Sequence, residues 1–319
     1  MKDSEIKFKY IYGPVPSRRL GKSLGVDLLP FKICSYDCIY CQLGKTKEKT
    51  ILRKEYVPTS EVLKEIKRKI SEKCEMDFIT FAGSGEPTLH KNLKELILGI
   101  KEMTKTPVAV LTNGSLFYLK EVSDALINAD VVIPSLDAGS KKSFLKVNRP
   151  SPSVDFDKMC EGLINFSKIF KGSFLLEIMI VKGLNDSEEE IEKISSLANQ
   201  MKIEKIQLNT VVRPPAELFA KPVSEEELNG LKKYFNAKVE IIGSVEKIIE
   251  ASLSLPGKDL ENRIVELTKR RPVTLEDISA GLSVKIAEAA KAVTNLLNKK
   301  EIKEQIKESK SYYIGNSKE

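Results

Sequence analysis

Between residues 23 and 244, short apolar runs alternate with amphipathic stretches, and that alternation leaves few folds open. Residues 23–29, 77–82, 108–112, 130–136, 174–181, 205–212 and 239–242 read as strands bounded by turn formers. Between them, 61–73, 91–103, 118–128, 156–170 and 188–201 carry the periodicity of helices facing a core, with a weaker helix at 225–234. Strands that alternate with helices build parallel βαβ units, so the fold class is α/β. About six such units fit an open, partial (β/α)6-type barrel better than a closed eightfold one. Ligands of such sheets bind beyond the carboxyl ends of the strands, so the residues that follow each strand are the candidates for function.

The first strand runs into Cys34, Cys38 and Cys41, spaced Cys-x3-Cys-x2-Cys. Three thiolates with no fourth ligand close by suit three irons of a [4Fe–4S] cluster, with the fourth iron left open for a small molecule. A structural zinc site is the rival reading, but it wants four ligands, usually in two close pairs. The chain has one histidine, His90, far along the sequence, and its other two cysteines, Cys74 and Cys160, stand alone in expected helices. Three unrelated buried cysteines are the remaining alternative.

Later strand ends are rich in small polar groups. Phe81-Ala82-Gly83-Ser84-Gly85-Glu86-Pro87-Thr88 follows the second strand. Small residues there let backbone approach a ligand, and Glu86 suits an ammonium group; a plain loop of turn formers reads the same way. Asn113 and Ser115 end the third strand, where an Asn-Gly turn is an equal reading. Ser135 and Asp137 end the fourth and suit ribose hydroxyls, with Asp137 as a helix cap the alternative. Glu177 stands mid-strand among Leu175, Leu176, Ile178 and Met179, pointing either into the barrel or out to solvent. Gln207 and Asn209 share one face of the sixth strand, and Arg213 beyond it has the fork geometry for a carboxylate or phosphate. The plainer reading is a polar strand end closed by prolines. Residues 13–23 hold prolines, glycines, Arg18, Arg19 and Lys22, the makings of an anion-binding loop or simply of a basic one. Their spacing is not that of a Walker phosphate loop. His90 reads as a helix-start residue bonded to backbone, or as a neighbour of the site.

The cysteine spacing, with Tyr40 just before the last cysteine and Ser84-Gly85-Glu86 after the next strand, resembles the motifs of the radical S-adenosylmethionine (radical SAM) superfamily. The resemblance implies that Cys34, Cys38 and Cys41 ligate a [4Fe–4S] cluster whose open iron chelates the amino and carboxylate groups of S-adenosylmethionine (SAM). One electron, from a donor of ferredoxin or flavodoxin type, then splits the sulfonium to give a 5′-deoxyadenosyl radical. It further implies that Ser84, Gly85 and Glu86 bind the SAM amino group, and that Ser135 and Asp137 bind its ribose. Asn113, Asn209 and Arg213 complete contacts to SAM or substrate. Ser84 stands where the superfamily has the first glycine of a Gly-Gly-Glu-like segment. The basic loop, Cys-Ser-Tyr-Asp-Cys-Ile-Tyr-Cys-Gln-Leu-Gly, Gly-Glu-Pro-Thr-Leu-His and Ser-Leu-Asp-Ala are similar to a group related to the wyosine-base (tRNA-modifying) radical SAM enzymes. Those enzymes carry extra cysteines before the SAM motif, whereas this chain has none before Cys34. The implied chemistry is hydrogen abstraction from an RNA, a peptide or a small metabolite.

The pattern changes after Pro256-Gly257. A helix at 259–270, a second at 274–280 opened by a Thr274/Asp277 capping box, a turn at Gly281, a third helix at 283–299 and a hairpin of 302–305 with 312–314 follow. This order resembles a winged-helix domain and divides the chain into domains 1–254 and 255–319. From Pro256 onward 13 Lys and Arg face 10 Asp and Glu, a modest net of +3. Nucleic-acid contact, peptide recognition and structural packing all fit that charge. A non-catalytic iron–sulfur regulator that reads DNA is the reading from another class. The whole 319-residue chain is at +7, which favours an anionic partner only weakly. No apolar run reaches the length of a membrane span and no signal peptide is evident, so the five cysteines are expected in a reducing cytoplasm.

Overall fold

The computed structural model describes residues 8–17, 19–242, 257–282, 284–307 and 310–316. Arg18 and the expected domain break at Ser254 lie outside the described residues. In chain order the first strands are β1 (Ile11–Ser17), β2 (Gly21–Val26), β3 (Ile33–Cys34), β4 (Glu48–Lys49), β5 (Phe78–Phe81) and β6 (Val108–Thr112). They are followed by β7 (Val131–Pro134), β8 (Ser173–Ile180), β9 (Lys205–Thr210) and β10 (Val239–Ile241). The helices among them are α1 (Thr59–Ser71), α2 (Leu93–Met103), α3 (Lys120–Leu126), α4 (Lys141–Val147), α5 (Phe156–Ile169), α6 (Glu188–Ala198) and α7 (Glu225–Leu231). Eight strands form one sheet in the order β1-β2-β5-β6-β7-β8-β9-β10, while β3 and β4 pair by themselves. Every pairing from β2 to β10 is parallel, and β1 runs antiparallel to β2.

The helices are amphipathic for a plain reason. Helix α2 buries Leu93, Leu96, Ile97 and Ile100, at spacings of three, four and seven. They belong to the main core between sheet and helices, which also holds Ile79, Val110, Val132, Leu176 and Ile206. Alternate residues of the same strands, Ala109, Val131, Ile133 and Leu175, point to the other face and cluster with Leu20 from the β1–β2 turn. Arg19, in the same turn, pairs with Glu177 on β8. Strand β8 stands four places from β2, about 19 Å away in a flat sheet at the usual strand spacing. An arginine side chain spans less than half of that, so the sheet must curl until β2 faces β8. The cluster around Leu20 fills the base of the resulting open barrel.

Three local expectations change. Residues 11–17 form an edge strand, the one place in a sheet where Pro14 and Pro16 cost no ladder bond. Arg19 therefore sits on a hairpin turn and Lys22 near the start of β2, rather than on an anion-binding loop; Arg19 is neutralised by Glu177 and Lys22 by Glu75. Helix α4 was not evident in its Lys-Lys-Ser-Phe-Leu-Lys-Val sequence and is opened by Ser140, which accepts from the Ser143 amide. Cys74 lies beyond the end of α1 rather than in a helix, and Cys160 is buried in α5. No helix among the described residues is long and apolar enough to cross a membrane.

The C-terminal segment adds α8 (Gly257–Arg270), α9 (Leu275–Leu282), α10 (Ile286–Asn298) and the antiparallel pair β11 (Ile302–Lys307) and β12 (Lys310–Gly315). Its own core contains Leu260, Ile264, Val273, Ile278, Val293, Leu296 and Ile302. The Thr274/Asp277 capping box is present, with reciprocal bonds of 3.1 and 3.2 Å. This unit is fastened to both rims of the open barrel. On the first rim, the Arg270 guanidinium lies 4.3 Å from the Tyr12 ring centroid and 3.6 Å from Asp27. On the other, Lys307 and Tyr312 donate to the carbonyls of Val211, Arg213 and Val212, and Arg213 lies 3.6 Å from Asp277. All four charged side chains of the two ion pairs are nearly buried, between 5% and 13% exposed. Removing one partner of a buried pair costs about 3–5 kcal/mol. A chain ended near residue 254 is therefore expected to lose on the order of 10 °C in thermal midpoint. A truncated protein that melts with the full-length chain by circular dichroism would refute this.

Candidate cofactor site

The cysteine loop is fastened at every turn. Its start, Ile33–Cys34, pairs with Glu48–Lys49. Inside it, Cys41 donates its amide to the Cys38 carbonyl at 3.1 Å, and Gly44 to Cys41 at 3.1 Å. The end of α4 holds its middle: Asp37 donates to the Asn148 carbonyl and Ile39 to that of Val147, each at 3.0 Å. Tyr36 packs edge-on against Phe144 at 5.3 Å.

Each of the three sulfurs meets one nitrogen donor. Asn113 Nδ2 lies 3.5 Å from Cys34 Sγ, Asn148 Nδ2 3.6 Å from Cys38 Sγ, and Lys32 Nζ 3.1 Å from Cys41 Sγ. Such donors stabilise thiolate ligands and tune the centre they bind. Burial pushes the Cys34 thiol up to about 12, helped by the nearby Glu86 carboxylate, and holds Cys38 well above its ordinary value. Without a metal both stay protonated; a soft cation would supply the positive charge that ionises them. Among the described residues, no three His, Cys, Asp or Glu side chains gather as one metal ion requires.

Lys32 is 3% exposed and, among the described residues, makes no ion pair. Its φ of 64° is uncommon for a residue with a side chain. The backbone holds it there: its amide donates to Ser84 at 2.8 Å, and its carbonyl accepts from Lys47 and Glu48. A buried ammonium with only a sulfur for company demands negative charge. Sequence reading missed Lys32, because a lysine in a loop is ordinarily a solvated one.

The Ser84-Gly85-Glu86 loop is zipped to the cysteine loop. Besides the Lys32–Ser84 bond, Glu86 donates its amide to the Ile33 carbonyl at 3.3 Å. A Cβ on Gly85 would fall 1.9 Å from that carbonyl oxygen, so only glycine fits. Ser84 is cradled by Asp27, which accepts from its amide at 3.0 Å and its hydroxyl at 2.6 Å. Glu86 is 2% exposed. One oxygen accepts from the Thr88 amide and the Thr88 and Thr112 hydroxyls, the other from the Asn113 amide, at 2.6–3.0 Å. Burial raises its carboxyl above the ordinary range against these bonds. The carboxylate is thus a strut between two strand ends, which the sequence expectation of an ammonium contact did not include.

Other candidates are also drawn into supporting the loop. The Asn113 side chain donates to Ser35 at 2.8 Å, and Ser115 shares a 2.7 Å bond with Ser35. Asp137 accepts from the Tyr40 hydroxyl, from Asn148 at 2.7 Å and from the Met179 amide at 2.9 Å. Its carboxyl is pushed up to about 6 by burial, and its oxygens hold the cysteine loop where a ribose contact was expected. Ser135, half-buried at the carboxyl end of β7, faces the barrel beside Glu177. Asn209 donates to Glu177 at 3.0 Å, which places both inside the barrel. Arg213 reaches Gln42, the residue after Cys41, at 3.3 Å and links it to α9. His90 is fully buried and bonds the Val57 carbonyl at 2.9 Å, so it is a backbone partner and not part of the site.

Comparison with known proteins places this geometry. The family model described as the radical SAM superfamily matches residues 28–195. A UPF0026 protein of Methanocaldococcus jannaschii is 34% identical over 274 residues, covering 84% of each chain. A protein named GTPase Obg from Brachyspira hyodysenteriae is 40% identical over 303 residues, 95% of this chain, but the chain spans only 45% of that protein. A radical SAM methyltransferase from Sphaerobacter thermophilus has a similar fold, with a TM-score of 0.51 at 15% identity over 69% of this chain and 65% of its own. Several of the relatives carry the UPF0026 name, and the comparisons give no support to the expected kinship with wyosine-base enzymes.

Proposed function

Because this chain belongs to the radical SAM superfamily and to the UPF0026 family, whose cofactors are a [4Fe–4S] cluster and SAM, we propose that Cys34, Cys38 and Cys41 hold that cluster for radical chemistry on a small substrate inside the barrel. The observation that carries this reading is the provision of one nitrogen donor to each of the three cysteine sulfurs. When bound, the cofactors supply reductive cleavage of the SAM sulfonium. The chain's own residues orient and enclose. Asn113, Asn148 and Lys32 stabilise the thiolates, Ser84 and Gly85 offer backbone to the SAM amino group with Glu86 as their strut, and Ser135 faces the ribose. Asp137, Asn209 and Arg213 act on SAM or substrate through the neighbours they hold. An electron donor of ferredoxin or flavodoxin type and a cytoplasmic setting go with this chemistry.

A partial (β/α)6-type barrel ending near residue 254 and a winged-helix-like unit beyond it are the domain division we favour. The three helices and hairpin, with their own core, support it. Modification of a tRNA is the second reading, favoured by the basic balance of the chain. The GTPase name of one relative finds no counterpart here: Gly44-Lys45-Thr46 is preceded by Ile39 where a phosphate loop needs glycine.

The test is anaerobic reconstitution. About four irons per chain are expected, with an EPR signal that changes when SAM is added and 5′-deoxyadenosine released under reductant. Tightly bound zinc without iron would overturn the proposal. Co-purified tRNA, bound with an affinity that falls steeply with salt, would favour the second reading.

A further inference from the structure

The barrel interior holds a polar set that the cofactors do not account for. Glu177 and Gln207 are register partners on β8 and β9. Gln207 and Asn209 lie two residues apart on one strand, and Asn209 bonds Glu177, so all three face inward. Arg19 enters from the β1–β2 turn below and pairs with Glu177. The Arg19 and Glu177 side chains keep 12% and 15% exposure within the barrel. Two buried atoms of this set have no hydrogen-bond partner among the described residues: Arg19 Nε, a donor, and Gln207 Oε1, an acceptor. Gln207 is itself 2% exposed. Buried polar groups are nearly always paired, so a lone donor and a lone acceptor beside the same ion pair call for a ligand that offers the complement of both.

The set lies beneath the cofactor layer. Met179, the next inward residue of β8, donates its amide to Asp137, which accepts from Tyr40 of the cysteine loop. Glu177 is two residues nearer the base, about 7 Å along the strand. Below it the apolar cluster of Leu20, Val131, Ile133 and Leu175 closes the barrel. A ligand seated on the set would stand between that floor and the cofactors, where a substrate belongs.

Charge restricts what the ligand is. Arg19 and Glu177 already cancel one another, and an added net charge in this half-dry interior would be uncompensated. We propose that Arg19, Glu177 and Gln207 bind a neutral substrate through an amide edge, a carbonyl beside an N–H. The carbonyl accepts from Arg19 Nε and the N–H donates to Gln207 Oε1, while Asn209 holds Glu177 in place. This inference rests on the barrel being the reaction chamber of the proposed enzyme. An amide edge can come from a nucleobase lactam or from a carboxamide.

Saturation-transfer NMR on the full-length, cofactor-free protein tests the site apart from the iron chemistry. The probes are uracil and N-acetylglycinamide, with acetate and guanidinium as charged controls. Binding of either neutral probe is expected; uracil alone would assign the nucleobase source, and N-acetylglycinamide alone the carboxamide. Gln207→Leu should weaken that binding at least tenfold while leaving reconstituted iron and the thermal midpoint unchanged, because it removes an acceptor that satisfies no donor among the described residues. Binding of the charged controls only, binding of no probe, or wild-type affinity in Gln207→Leu would each overturn the assignment. Loss of iron loading in the wild-type protein would instead strike at the cluster and leave the probe result standing.

Discussion

Replacing any one of Cys34, Cys38 or Cys41 with alanine is expected to abolish SAM cleavage and to leave far fewer than the about four irons per chain of a complete cluster. The cause is the ligand count. Three irons need three thiolates, and Cys34, Cys38 and Cys41 are the three that this loop supplies. Cys41→Ala also strands the Lys32 ammonium, whose one polar contact among the described residues is that sulfur. Cys74→Ala and Cys160→Ala should leave iron and cleavage as they are, because Cys74 lies past α1 and Cys160 packs in the core of α5. Iron analysis and chromatographic assay of 5′-deoxyadenosine decide the matter. A variant of the first group that keeps a full complement of iron would remove its cysteine from the site.

The second large effect is expected at Glu86. Alanine there leaves the buried amide of Thr88 and the part-buried amide of Asn113 without acceptors. Each orphaned donor costs about 1–3 kcal/mol, so a loss of about 3–5 kcal/mol in stability is expected. Because Asn113 in turn touches Ser35 and Cys34, iron content should fall along with SAM affinity. A simple ammonium-binding role would instead weaken SAM by on the order of 2–5 kcal/mol with iron and melting untouched. Measuring all three on Glu86→Ala separates the strut from the ligand. Unchanged melting would return Glu86 to the role that the sequence motif implies.

The roles of these residues divide between what is local and what is not. Alternation of apolar runs and amphipathic helices is enough to mark seven parallel strands, because periods of two and 3.6 residues are written in neighbouring side chains. The cysteine spacing is equally local, and so is the glycine that lets the Ser84 loop meet Ile33. The Thr274/Asp277 box was legible for the same reason, as a bond between residues three apart. Long-range pairing is a different matter. Nothing near Arg19 announces Glu177, 158 residues away, and only the curl of the sheet brings them together. Nothing near Lys32 says that its charge is buried on Cys41, since loop lysines are solvated unless tertiary packing decides otherwise. Asp27, Asn148 and Arg270 acquire their places through strand ends, a helix end and a C-terminal unit that meet only in three dimensions. The sequence by itself determined which segments are strands and helices and where the three thiols lie; the tertiary structure decided which polar groups support them and which face the barrel interior, because burial and pairing depend on neighbours that the chain brings from afar.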